Sequence, residues 1–217
     1  MTTQTVSPSQ VYQGQFGEFT IDQSDRTGVI IYRTALMVAA LSFAIGTALA
    51  FNYNPTTIQA ITPFYTCFSL ALGVSLLTIH IYMAPLHRLL QVFWLIGSIS
   101  AFIFAHVDSQ PFAVTVYTNP LTILGIGFTF AALTGIYFKE AFCFNRLETK
   151  ALTFTVPGLL LGHLLGFLPI HVEQILLGIW ATLFLVFAVR KTFQAIPADI
   201  GDKSVFAYLK AQRTAKV

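Results

Sequence analysis

The sequence predicts an all-α polytopic membrane bundle: six transmembrane helices arranged as three hairpins, with both termini cytoplasmic. Three observations carry this. Of 217 residues, 55% are hydrophobic and only 10% are charged, against about 25% charged residues in a soluble domain. Apolar stretches near the roughly 20 residues that a bilayer requires recur along the chain. All 12 Lys and Arg fall at one set of stretch ends, as the positive-inside rule demands. The mean hydropathy of +0.72 agrees.

Residues 1–28 form a polar cytoplasmic segment with no apolar core of a signal peptide. Within it, residues 11–21 (VYQGQFGEFTI) place aromatics among Gln and Gly. Gly14 and Gly17 favour an extended or interfacial strip over a helix. Ser24 or Thr27 can cap the first span.

The membrane domain is 29–193. Its spans are 29–51, 61–83, 86–106, 121–142, 152–168 and 175–193. Arg26, Arg33, Arg88, Lys139, Arg146, Lys150, Arg190 and Lys191 flank one side, together with every basic residue of the tail 194–217. The opposite connections, 52–60, 107–120 and 169–174, contain no Lys or Arg. Pro63 and Pro157 fall near span starts, where proline is tolerated. In the tail, Pro197 ends the last helix. Val205, Phe206 and Leu209 then oppose Lys203, Lys210 and Arg213 at helical spacing, which reads as a short amphipathic surface helix or a frayed basic tail.

Small residues recur every four positions. The third span has Gly97, Ala101 and Ala105. The fifth has Gly158, Gly162 and Gly166 in VPGLLLGHLLGF, which predicts a glycine ridge for close helix contact. A net charge of +3 with no clustered basic face excludes nucleic acid as a partner and leaves the lipid bilayer. Cys67 and Cys143 have no zinc or redox spacing and fall near opposite membrane faces, so no disulfide is expected.

Four stretches together resemble a known family. They are 11–21 with DRTGVIIYR (25–33), YMAPLHRLLQVFW (82–94), GIYFKEAFCFNRLETK (135–150) and VPGLLLGHLLGF (156–167). The family is one of uncharacterised integral membrane proteins of cyanobacteria and plastids, a domain of unknown function. The resemblance implies a photosynthetic setting, in the plasma or thylakoid membrane, with photosynthetic membrane complexes as partners. It supplies no catalytic residue.

Candidate site residues are few. His163 falls about 16 Å into the fifth span, near mid-membrane. It is read as an interhelical hydrogen bond, with pigment or haem ligation as the cofactor alternative. His106-Val107-Asp108 and His171-Val172-Glu173 repeat a His-x-carboxylate pattern, and these two histidines and two carboxylates can form a metal site. Lys139, Glu140, Arg146, Glu148 and Lys150 crowd one cytoplasmic loop, read as a partner-docking surface or as solvated interfacial charge. Arg33, just inside the first span, is read as snorkelling to the surface, with pairing to Glu140 as the alternative. His80, His87 and Arg88 flank the Pro85 turn.

No motif of a nucleophile, phosphate loop or zinc protease is present, and no cofactor is specified. The leading functional expectation is a scaffold or assembly factor for photosynthetic complexes. A small cation or solute transporter or channel, and a metal-binding membrane oxidoreductase, are the alternatives.

Overall fold

A computed structural model describes residues 11–52 and 54–214. A β-hairpin, β1 (Val11–Gly14) and β2 (Gly17–Thr20), precedes the helices. These are α1 (Gln23–Phe51), α2 (Pro55–Thr78), α3 (Ala84–Val107), the two-turn α4 (Phe112–Thr118), α5 (Ile123–Phe144), α6 (Leu147–Leu164), α7 (Ile170–Thr192), α8 (Ile196–Ile200) and α9 (Ser204–Thr214). Local chemistry sets the starts. Asp22 and Asp25 form a reciprocal capping box on α1. Asn54 and Thr57 do so on α2, with Pro55 in the first turn.

Five helices among the described residues are long and apolar enough to cross a membrane: α1, α2, α3, α5 with its leading turn, and α7. The expectation was six. The remaining stretch, the fifth in order, is α6, which has 18 residues but starts five residues before the expected span and takes in Glu148 and Lys150, which lower its hydropathy. Earlier starts also move Pro63 and Pro157 into helix interiors, where each removes one backbone bond.

The long helices form a ring in chain order. Each of α1, α2, α3, α5, α6 and α7 packs on the next, and α7 returns to α1. Inside lies one apolar core with Tyr32, Leu36, Phe68, Leu133, Tyr137, Phe184 and Phe187 all buried.

The glycine ridge expected on the fifth span is not one ridge. A Cβ on Gly158 would meet open space, and one on Gly162 would meet Leu168 and Phe167 of the turn that follows its own helix. Gly166 lies beyond α6 at φ +69°. It closes the helix: Phe167 N–H donates to Gly162 O (3.2 Å) and Gly166 N–H to His163 O (3.1 Å), the left-handed glycine stop of a Schellman motif. Close helix approach occurs instead between α3 and α5. A Cβ on Gly97 would collide with Thr129, its Cα at 2.9 Å included.

The expected extended strip 11–21 is a hairpin that clasps the tail. Gln15 N–H donates to Asp202 Oδ2 (2.6 Å) and Phe16 N–H to Ser204 Oγ (3.0 Å). Phe16 stacks on Tyr208 at 4.0 Å, and Tyr12 and Phe19 pack around buried Ile21, Val29 and Ile200. Lys203 Nζ donates to Asp25 at 2.6 Å. Hairpin and tail thus share one end of the ring. The Gln15 amide, then the Ser204 hydroxyl, hold the Asp202 carboxyl below its ordinary value of 3.8. A depressed pKa means the carboxylate's contribution is present above that value and is lost as pH falls through the lower folded one. Asp202→Ala is expected to speed hydrogen exchange at Gln15 and Phe16 while leaving the membrane helices protected. Unchanged exchange at those two amides would show that Asp202 does not hold the clasp.

Candidate functional site

At the ring end away from the hairpin, the helices splay around a cavity of about 660 Å³. Its walls come from α1, α2, α4, α5, α6 and α7, and Phe43, Phe68, Phe130 and Trp180 lie at its inner limit. These four form a continuous aromatic set, with Phe43–Trp180 centroids 4.5 Å apart and Phe68–Phe130 5.8 Å apart. One wall is α4, a short helix within the 107–120 connection that the sequence reading leaves as a loop. Phe112 and Thr115 bury there, and Thr115 Oγ1 donates to Asp108 Oδ2 at 2.8 Å.

Polar groups converge at the cavity edge. Because Gly166 stops α6 and Pro169 starts α7, His163 lies one residue from its helix end, facing the first turn of α7. It therefore lies at a helix end and not at the middle of α6. Its Nδ1 is 2.7 Å from Glu173 Oε1, so Nδ1–H donates to the carboxylate and fixes the tautomer. Tyr117 donates to Glu173 Oε2 at 3.3 Å, and its ring stacks on the imidazole with centroids 5.1 Å apart. Burial, then the Glu173 charge, push the Tyr117 phenol above its ordinary value, which keeps it a donor. His163 Nε2 is buried with no hydrogen-bond partner.

The expected metal set is not assembled. His106 is exposed and its Nδ1–H donates to Phe102 O at 2.7 Å. Asp108 accepts from Thr115 and Gln110. His171 is exposed, and Glu173 is held by His163 and Tyr117. Among the described residues no three His, Cys, Asp or Glu lie close enough to hold a metal ion. Cys67 and Cys143 are both free thiols.

The other end of the ring contains a buried ionic network that the sequence reading misses. Arg33 is buried. It donates from Nε and Nη2 to Asp199 Oδ2 at 2.7 and 2.5 Å, and from Nη1 to Gln194 O at 2.6 Å. Lys191, fully buried, pairs with Glu140 at 2.5 Å and with Asp199. Lys139 reaches the other Glu140 oxygen at 2.8 Å. Arg33 therefore neither snorkels nor pairs with Glu140; its partner is Asp199. The docking reading of the 139–150 loop also changes. Glu140 and Glu148 are buried, Arg190 bonds Glu148 at 2.8 Å, Arg146 bonds Gln194 at 2.6 Å and Lys150 bonds Asn145 at 2.5 Å. A residue-level signal existed for Arg33: a guanidinium inside a span needs a carboxylate. Nothing local singles out Asp199.

Fold and composition together define a multi-pass integral membrane protein with a cavity between its helices and no recognisable catalytic motif. The chain belongs to a family of uncharacterised integral membrane proteins, DUF2301, whose model matches residues 74–208. That match takes in α3 to α8, His163, Glu173 and the ionic network from Lys139 to Asp199. No curated protein and no solved structure matches the chain.

Proposed function

We propose that this chain is a membrane-embedded binding protein that takes a lipid-soluble small molecule into the cavity. The observation that carries this is the cavity itself, about 660 Å³ with mainly apolar walls. Sites that enclose small ligands have about 300–1,000 Å³ and only a few convergent polar groups. Apolar space of this kind repels water and welcomes an apolar guest. An ion gains little there, which disfavours the cation-transport alternative. The scaffold expectation rests on packing stripes, the lack of a catalytic motif, polar segments and the family resemblance, and one of those segments, 139–150, places Glu140 and Glu148 in ion pairs within the chain.

The topology reading is a proposal as well. Hairpin and tail at one ring end support an even number of crossings, with α6 as a short fifth of about 27 Å that brings the total to six. Basic residues gather at that end, which supports its being cytoplasmic. The cavity then faces the outer leaflet.

The test is a filled cavity. Gly46 lines it, and a Cβ there meets only Phe64 Cβ at 3.9 Å, so Gly46→Leu adds bulk without a clash at the backbone. By native mass spectrometry, wild type is expected to carry a stoichiometric lipid-soluble molecule that Gly46→Leu lacks, at an equal or higher melting temperature. Equal occupancy in both proteins, or none in either, would sink the reading.

A further inference from the structure

The cavity's chemistry narrows its occupant; this step rests on the binding reading above. The cavity lining contains no Lys or Arg, and its one carboxylate is Glu173. A fatty acid or a phosphate head would meet that negative charge with no Lys or Arg in the lining to offset it, and a buried unpaired charge is costly. Both Glu173 oxygens already accept, one from His163 and one from Tyr117.

Ser42, Thr47, Thr118 and Gln174 also line the cavity, but the lining's buried polar atom without a partner is His163 Nε2. With Nδ1–H committed to Glu173, the second nitrogen of the neutral ring is an acceptor. It is buried and unpartnered, a state that disfavours the empty site until a donor arrives. A hydroxyl supplies one donor and no charge. An ammonium brings three donors to a lining in which both Glu173 oxygens already accept, and must shed its hydration. A carbonyl brings no donor. The Tyr117 ring stacks on the imidazole and is 50% exposed, so it is the group that gives way when the hydroxyl docks.

We infer that the cavity binds a neutral lipid alcohol, its hydroxyl donating to His163 Nε2 and its chain lying toward Phe43, Phe68 and Trp180. The test uses the full chain in nanodiscs and tritiated farnesol, with unlabelled farnesol, farnesal, farnesylamine and farnesoic acid as competitors. Farnesol is expected to compete better than the other three by about tenfold or more. His163→Phe is expected to bind farnesol no better than the hydrocarbon farnesene. The competition order in wild type decides the matter even if that variant folds poorly. Equal competition, or preference for the aldehyde, amine or acid, overturns the alcohol assignment while the cavity reading stands if Gly46→Leu abolishes binding. No saturable binding by any probe overturns both.

Discussion

Asp199→Ala is expected to destabilise the protein by about 3–5 kcal/mol, because it leaves buried charge without its partner. Asp199 accepts from Arg33 twice, from Lys191, and from Gln194 Nε2 at 3.1 Å. Without it, Arg33 keeps two carbonyls and no anion, and the one anion left to Lys191 is Glu140, which Lys139 shares. Against a typical stability of about 5–15 kcal/mol this is a large fraction. Asp199→Asn retains an acceptor and is expected to cost less. The double variant Arg33→Met with Asp199→Leu is expected to recover much of the loss, since paired removal strands one charge fewer. Detergent melting curves of the four proteins read this out. An Asp199→Ala protein that melts like wild type would show that the network does not hold the hairpin end of the ring together.

Gly97 carries the second large effect. A side chain there runs into the Thr129 backbone on α5, with Cα at 2.9 Å, and a backbone cannot rotate aside as a side chain can. Even Gly97→Ala is therefore expected to cost about 1–3 kcal/mol, and Gly97→Leu more. Gly158→Leu is the control, since nothing lies within 4 Å of a Cβ there. Melting and expression of the two leucine variants should separate clearly. If Gly97→Leu behaves like Gly158→Leu, α3 and α5 do not cross where described.

Much of the fold is legible in the sequence because lipid enforces long apolar helices. Positions α1, α2, α3, α5 and α7 follow directly from apolar length. The failures have physical causes. Phe112–Thr118 makes only two helical turns between Pro111 and Pro120, too short for periodicity to show. Gly158, Gly162 and Gly166 satisfy a four-residue spacing, yet Gly166 followed by Pro169 is also a helix-stop signal, and the stop prevails. That same stop turns His163 toward Glu173, so the site's central contact depends on a boundary error of four residues. The metal pattern fails because His-x-carboxylate spacing says nothing of the distance between two connections. Arg33 and Asp199 are 166 positions apart, and no local pattern joins them.

That separation has a consequence for biogenesis. At about 5–20 residues per second, the ribosome needs roughly 8–33 s to travel from Arg33 to Asp199. Throughout that interval the first helix sits in the translocon or bilayer with its guanidinium unneutralised by its eventual partner. The ionic network is thus incomplete until Asp199 emerges, however early the helices insert. A message cut short before codon 199 yields a product with an orphaned intramembrane cation, a feature on which membrane quality control can act.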